Sequence, residues 1–391
     1  MPEPSISRAE PDICVFFAGG GTGGHIYPGL AVAQEIRRLK PAARILFFCS
    51  SRPIDAQILA PSGFEYVPLR GRGFSLNPLA ALNGALDILK AYELSRKKMH
   101  TILKAHTTAA AKPRAILTGI GGFASVPAVF AAGRLGLPLA MINVDIVPGK
   151  ANRLLAPFVR TIFTQFPETA PHFARHASKT QVTGCPLRES FTDPDPHKAI
   201  RDLKLHTTRK TLVVTGASSG ARSINKALAA ILPRLEPFAD TWQIVHLTGS
   251  AQATREMETC CAESKLYCRP LDYYEDVASL LAAADLVVGR AGAVSIAEFA
   301  ATGTPAICLP YPWHKDRHQY LNAETLVRAG AAVIVDDRPD SPQITADNLL
   351  AALQDLMADD KKRAQMAEAV GNAAKPAAAR TIAEKIIEMA G

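Results

Sequence analysis

Short runs rich in Val, Ile, Leu and Phe, each four to six residues long, alternate with helix-periodic stretches along almost the whole chain, and this rhythm limits the fold more than any other feature. The first series comprises Ile13 to Ala18, Arg44 to Cys49, Ala115 to Thr118, Leu139 to Asn143 and Arg160 to Thr164. The second comprises Thr211 to Thr215, Gln243 to Thr248, Leu286 to Gly289, Pro305 to Leu309 and Ala332 to Val335. A strand that shows apolar side chains on both faces must be covered on both, and crossover helices between parallel strands provide that cover. The pattern therefore predicts an α/β chain of repeated βαβ units. Its 391 residues, 48% of them hydrophobic, suffice for two cores of ordinary domain size. Between the series lies Thr192-Asp193-Pro194-Asp195-Pro196, whose prolines disfavour helix and whose aspartates favour turns, and we place the domain boundary there. The expected division is 1–190 and 191–371. The last stretch, about 372–391, reads as an amphipathic helix that crosses back onto the first domain.

Three glycine-rich turns each follow a strand and open a helix. The first is Ala18-Gly19-Gly20-Gly21-Thr22-Gly23-Gly24-His25, and Pro28 beyond it suits a first helical turn. The others are Thr215-Gly216-Ala217-Ser218-Ser219-Gly220 and Gly289-Arg290-Ala291-Gly292-Ala293-Val294-Ser295. Glycines let a backbone approach a ligand closely, and a helix start offers free N–H groups and partial positive charge, so such turns suit a diphosphate or sugar oxygen without a metal. The plain alternative is that they make tight strand-to-helix corners. An imidazole at a glycine-lined mouth, His25, is a candidate for proton transfer near neutral pH, or a hydrogen-bonded structural residue. Glu298, one turn into its helix, suits a ribose diol or simply complements the helix dipole. In the polar segment after Leu309, His318 and Gln319 offer donors suited to sugar hydroxyls, or belong to a solvated loop.

Other classes fall away. Seven cysteines without a CxxC pair predict neither disulfides nor zinc, and Cys14 and Cys308 sit in strand-like runs where a thiol acts as a small hydrophobe. No secretion signal is expected, and no stretch of about 18 uncharged apolar residues is long enough to span a bilayer. A net charge of +8 and a pI near 9.1 suit nucleic acid, anionic lipid or a diphosphate. No helix-turn-helix, zinc finger or aromatic RNA-binding strand is found, so nucleic acid is not an expected partner.

Taken in order, GGGTGGHIYPGLAVA (19–33), TGIGGFASVPAVFAA (118–132), TGCPLR (183–188), TGASSGAR (215–222), GRAGAVSIAEFAATG (289–303) and HKDRHQYLNA (314–323) resemble the MurG family of GT-B glycosyltransferases, in glycosyltransferase family 28. The likeness runs from about Ile13 to the C-terminus. It implies two Rossmann-like domains with parallel sheets facing a cleft. It also implies a metal-independent, inverting hexosyltransferase that uses no cofactor. Such an enzyme moves N-acetylglucosamine from UDP to the 4-hydroxyl of the muramyl sugar of lipid I, giving lipid II for peptidoglycan synthesis and hence for cell wall biogenesis, shape and division. Its partners would be UDP-GlcNAc, the undecaprenyl-linked acceptor and an anionic membrane surface, at the cytoplasmic face of the inner membrane.

Carried over residue by residue, the resemblance places Thr22, Gly23 and Gly24 at the sugars and makes His25 the candidate base. Arg188 and Ser218 would hold the diphosphate, backbone near Tyr274 would meet uracil, and Ala293, Val294 and Ser295 would line the phosphate and sugar site. Glu298 would bind ribose, and His318 with Gln319 would read N-acetylglucosamine. Where the family carries His-Glu-Gln-Asn, this chain has Ile142-Asn143-Val144-Asp145, so a carboxylate replaces an amide. Asp145 is thus a candidate acceptor for a sugar hydroxyl or part of the base function. Cys185 replaces an expected Asn, and the first loop has one extra Gly. The departure at 142–145 keeps open a GT-B transferase with another lipid-linked acceptor, and a UDP-GlcNAc 2-epimerase-like isomerase, which shares the fold, is a second rival. A non-catalytic subunit that retains the UDP site is a third. Arg70-Gly71-Arg72-Gly73-Phe74 with Leu76, Leu79, Leu82, Leu86 and Leu89, followed by Lys90, Arg96, Lys97 and Lys98, reads either as an interfacial helix or as an amphipathic helix packed on the sheet.

Overall fold

The computed structural model describes residues 13–71, 78–107, 114–217 and 220–391, without the side chains of 78–82. Ser218, and the 72–77 part of the proposed interfacial segment with the Leu79 and Leu82 side chains, lie outside the described residues. The chain forms two compact units, Met1–Arg188 with Ala377–Gly391, and Glu189–Pro376.

The first unit is built on seven strands: β1 (Ile13–Gly19), β2 (Arg44–Ser50), β3 (Glu65–Leu69), β4 (Arg114–Gly121), β5 (Leu139–Asn143), β6 (Thr161–Thr164) and β7 (Thr180–Val182). All pair in parallel in the order β3-β2-β1-β4-β5-β6-β7. Helices α1 (Gly23–Leu39), α2 (Pro53–Leu59), α3 (Pro78–Ala105), α4 (Ser125–Arg134) and α5 (Lys150–Leu155) connect them. Every residue of β1 is buried, and Phe17 stacks on Phe47 of β2 at 4.9 Å. Burial also pushes the Cys14 thiol up to about 11, so it stays protonated and packs as a hydrophobe. Because the strand order reverses between β1 and β4, the loops leaving those two strands diverge to opposite faces and open a crevice at the C-terminal sheet edge. Both loops, Gly19–Gly24 and Gly121–Phe123, are glycine-rich.

The second unit repeats the plan with β8 (Lys210–Thr215), β9 (Trp242–Leu247), β10 (Tyr267–Leu271), β11 (Leu286–Gly289), β12 (Ala306–Cys308) and β13 (Ala332–Ile334), all parallel in the order β10-β9-β8-β11-β12-β13. Its helices are α6 (Pro196–Leu203), α7 (Arg222–Ile231), α8 (Ala251–Ala262), α9 (Val277–Ala282), α10 (Ala293–Thr302), α11 (His318–Arg328), α12 (Pro342–Ala358) and α13 (Asp360–Asn372). The reversal falls between β8 and β11, the two strands that lead into the other glycine turns. The chain then returns to the first unit as α14 (Ala378–Met389), which packs on α1 and receives Arg114 Nη2 at the Ile387 carbonyl, 2.9 Å away.

The chain passes from one unit to the other at Arg188–Glu189, beside the expected division, and within the Thr192–Pro196 segment Asp195 caps α6 by accepting from Lys198 N, with Pro196 at the first helical position. Two other readings differ from the structure. Helix α1 starts at Gly23, not near Pro28, which sits one turn in; the helix tolerates it because only the Gly24 carbonyl loses its partner there. Strands β3, β7 and β10 escaped the sequence reading because they are edge strands with mixed polar faces, and β3 and β10 each carry a proline, which an edge accommodates.

One buried group makes stability pH-dependent. His246 on β9 donates Nε2–H to Asn225 Oδ1 at 2.9 Å, which leaves Nδ1 buried without a partner, and burial lowers its pKa from 6.5 to about 4. Above pH 6.5 both folded and unfolded states keep the ring neutral, so it adds no pH dependence. As pH falls from 6.5 to about 4, only the unfolded chain takes up the proton and folding stability is lost, by at most about 3 kcal/mol. Urea unfolding of the wild type and of His246→Gln at pH 7.5 and 5.0 checks this. The wild type should lose more midpoint than the variant, whereas parallel losses would clear His246 of the effect.

Candidate functional site

In the first unit, Gly19, Gly20 and Gly21 carry the chain off β1 with φ of +154°, +142° and +95°. A carboxylate holds the turn in place. Asp55, on α2 and fully buried, accepts from Gly21 N with Oδ1 at 2.8 Å and Oδ2 at 2.9 Å, and from Ser50 N at 2.8 Å. Arg52 Nη1 donates to the Gly21 carbonyl at 3.0 Å, and Gly20 N to the Gly121 carbonyl at 3.0 Å. The loops after β1 and β4 are thereby joined backbone to backbone.

Thr22 is the N-cap of α1, so Gly23, Gly24 and His25 form the first helical turn at the positive end of the helix dipole, with His25 N donating to the Thr22 carbonyl at 3.1 Å. Thr22 and Gly24 are exposed, Gly23 is buried and His25 is half-buried. His25 Nδ1 lies 3.1 Å from the Gly20 carbonyl and 3.3 Å from Thr22 Oγ1. A carbonyl only accepts, so Nδ1 carries the proton and Nε2 keeps its lone pair, the tautomer a general base requires. Nε2 lies beside Gly121, where an added Cβ would stand 3.1 Å from it and 3.7 Å from Asn152 Oδ1. Asn152 Nδ2 donates to Asn143 Oδ1 at 2.9 Å, and Asn143 Nδ2 to the Asp145 carbonyl at 2.7 Å. Asn152 and Asn143 thus form a hydrogen-bonded pair that ends on the backbone of the half-buried Asp145, and Asn152 Oδ1 flanks the same glycine, Gly121, as His25 Nε2. Arg188 stacks on the Tyr27 ring at 4.4 Å, two residues along α1 from His25.

In the second unit, Gly292 is the N-cap of α10, whose first residues are Ala293, Val294 and Ser295; Glu298 follows half-buried in the second turn. Asn322 of α11, fully buried, donates to the Ala291 carbonyl at 3.2 Å and ties α11 to this turn. His318 Nδ1 pairs with Asp316 Oδ1 at 2.8 Å; burial opposes the Asp316 charge, but the His318 hydrogen bond still holds that carboxyl below its ordinary range. Gln319 Oε1 accepts from Tyr311 N at 2.9 Å, so Gln319 has its amide N–H groups to offer. The Tyr274 hydroxyl donates to Asp202 of α6 at 3.3 Å. Arg290, in the turn before α10, is buried and paired with Asp337 at 2.7 Å.

Sequence reading missed Asp55, Asn143, Asn152, Arg290, Asp337 and Asn322. A half-polar short helix gives no local sign that its aspartate will be sealed. For Asn322 a signal existed: it ends the HKDRHQYLNA segment, and a buried amide there needs partners.

A second surface of the first unit is apolar and basic. Leu86 and Leu89 of α3 are 45% and 60% exposed, and Phe130 of α4 meets Phe158 edge-on at 5.1 Å, with Phe158 53% exposed. Beside them a cavity of about 620 Å³ is lined by Tyr92, Val129, Phe130, Leu137, Arg134 and Arg160. Among the described residues, no helix is long and apolar enough to cross a membrane.

Residues 15–164 match the glycosyltransferase family 28 N-terminal domain, and residues 211–384 match the family 28 C-terminal domain. The UDP-N-acetylglucosamine--N-acetylmuramyl-(pentapeptide) pyrophosphoryl-undecaprenol N-acetylglucosamine transferase of Desulfitobacterium hafniense is 34% identical over 383 residues, covering 96% of this chain and 99% of that protein. Acinetobacter baumannii MurG, a solved structure, aligns with a TM-score of 0.71 at 25% identity over 96% of this chain and 99% of its own. The UDP-GlcNAc 2-epimerase of Neisseria meningitidis bound to UDP-GlcNAc reaches a TM-score of 0.65 at 12% identity, covering 96% and 100%, a likeness of fold.

Proposed function

Since this chain belongs to glycosyltransferase family 28, we propose that it transfers N-acetylglucosamine from UDP-GlcNAc to the muramyl 4-hydroxyl of lipid I, with inversion, to give lipid II. The observation that carries the reading is the His25 geometry. Its Nδ1 is committed to Gly20 O, so Nε2 is the basic nitrogen, at the mouth of a crevice lined by glycine backbone. Asn152 Oδ1, buried without a partner, is an acceptor beside it.

We assign the acceptor to the first unit. Thr22, Gly23 and Gly24 meet its sugar, His25 Nε2 takes the proton of the attacking hydroxyl, and Asp145 accepts a sugar hydroxyl. The donor belongs to the second unit. The amides of Ala293, Val294 and Ser295 meet phosphate, Glu298 the ribose diol, backbone near Tyr274 the uracil, and His318 with Gln319 the sugar. Charge builds on the diphosphate as the anomeric bond breaks through an oxocarbenium-like state. The α10 dipole and Ser218 stabilise that charge, each such donor typically supplying about 3 kcal/mol.

The exposed Leu86, Leu89, Phe130 and Phe158, with Arg134 and Arg160 alongside, suit an anionic bilayer, where a lipid-linked acceptor resides; apolar contact and basic charge together give peripheral binding. The test uses purified protein, labelled UDP-GlcNAc and a short-chain lipid I analogue, with and without anionic vesicles. Acceptor-dependent UDP release and co-sedimentation with the vesicles are expected, with co-sedimentation reduced in Leu89→Gln/Phe158→Gln. Epimer formation without acceptor, or UDP binding without turnover, would overturn the assignment.

A further inference from the structure

Three segments of the second unit adjoin the donor-side groups assigned above: the first turn of α7, four residues after Ser218, the turn that leads into Ala293 of α10, and the exit of β12 at Leu309–Tyr311, whose Tyr311 N–H holds Gln319. All three converge on one guanidinium. Arg290, whose side chain is 10% exposed, donates from Nη1 to Asp337 Oδ2 at 2.7 Å, to the Leu309 carbonyl at 2.9 Å and to the Pro310 carbonyl at 3.4 Å. From Nη2 it donates to Ser223 Oγ at 2.7 Å. The Ser223 hydroxyl donates in turn to the same Asp337 oxygen at 2.6 Å, which closes a three-membered ring of polar groups. The guanidinium carbon also stands 5.6 Å from the centre of the Tyr311 ring, and the Tyr311 N–H holds Gln319 Oε1.

The chemistry of this ring is specific. A planar guanidinium serves several acceptors at fixed angles, which an ammonium on a flexible stem does not. Asp337, 2% exposed at its side chain, comes from beyond β13, so a residue far along the chain fixes the junction of α7 and α10. Burying an ion pair is a poor route to stability, since well-packed apolar side chains serve at least as well. What it does achieve is a fixed spacing between the elements that supply its members. Nη1 and Nη2 both donate to acceptors of the protein itself, so the guanidinium acts on the fold around it.

We infer that Arg290, Ser223 and Asp337 are positioning residues that set the separation of the α7 and α10 helix starts and the placement of the Gln319 amide, and so govern affinity for the nucleoside diphosphate part of the donor without touching it. The inference rests on the assignment of the donor to this unit. In Ser223→Ala the ring opens but no charge is stranded. Helix α7 then loses its tie to α10, and the amides that meet diphosphate are no longer held in register.

The experiment measures UDP binding by calorimetry, KM and kcat for UDP-GlcNAc, and the melting temperature, on the full chain carrying Ser223→Ala, Ser223→Thr, Asp337→Asn or both Ser223→Ala and Asp337→Asn. Ser223→Ala is expected to weaken UDP binding about tenfold and raise KM in step, with kcat changed less and the melting temperature within a few degrees of wild type. Ser223→Thr, which keeps the hydroxyl, restores binding. The double variant is expected to fall short of the product of the single effects, because both break one ring. If Ser223→Ala and Asp337→Asn melt lower yet bind UDP as wild type does, the ring only stabilises the fold and the inference fails. If wild type itself binds no UDP, the donor assignment fails first and takes the inference with it; normal binding by wild type keeps the two failures apart.

Discussion

His25→Ala is expected to lower kcat by roughly 10²- to 10⁴-fold, the usual contribution of a positioned general base, while leaving the Kd for UDP within about twofold. The split follows from where the groups lie. His25 belongs to the first turn of α1 in the first unit, whereas the amides, Glu298 and Gln319 assigned to the donor belong to the second. Alanine also removes the Nδ1 contact to Gly20 O, so loss of activity alone does not separate chemistry from loop structure. His25→Asn does. Its amide nitrogen can still donate to the Gly20 carbonyl, but a carboxamide accepts no proton near neutral pH. Both variants are therefore expected to be equally slow and equally well folded by circular dichroism. Activity in His25→Asn near the wild-type level would move the base function elsewhere, with Asp145 the first residue to examine. An equal loss of turnover and of UDP affinity in both variants would make His25 a structural residue.

The largest expected effect on stability belongs to Gly122→Ala. At φ +80° an alanine is strained from the outset, and its Cβ would stand 2.2 Å from the Gly20 carbonyl oxygen. That neighbour is backbone, held by the Gly20 N to Gly121 O bond and by the Asp55 clamp on Gly21, so it cannot swing aside as a side-chain end would. Strain at a disfavoured φ together with an overpacked contact suggests a loss of roughly 3–5 kcal/mol. Gly136→Ala is the control. It has a similar φ of +75° but nothing within 4 Å of the added carbon, so about 1–2 kcal/mol of conformational strain is all it should lose. Urea unfolding of both variants beside wild type decides the matter. Equal midpoints for the two would show that the crowding at Gly122 is relieved by a small backbone shift. Any Gly122→Ala protein that does fold should turn over slowly, because moving the Gly20 carbonyl moves the group that orients His25.

How much of this was legible in the chain differs by the range of the interaction involved. The runs Ile13 to Ala18 and Leu286 to Gly289 declared themselves as central parallel strands because burial on both faces demands apolar residues at every position, and that demand is local. Edge strands make no such demand, which is why Tyr267–Leu271, with its polar residues and Pro270, went unread. Helix α1 was placed too late for a related reason: Pro28 is the strongest local helix-start signal in its segment, yet Thr22 and the glycines before it begin the helix once β1 and β4 are in place.

The sequence by itself determined the alternation of strand and helix, the two-part organisation, and the positions of the glycine turns at the ends of strands that flank each sheet's reversal point. Those are properties of neighbouring residues: periodicity, chain stiffness and allowed φ. Only the tertiary structure decided which carboxylate would clamp the first loop, which nitrogen of His25 would keep its lone pair, and that Arg290 would find Ser223 and Asp337, 67 and 47 residues away. A hydrogen bond is worth having only when both partners arrive at a fixed distance in a place without water, and that condition is met by the packing of distant segments, which no local pattern encodes.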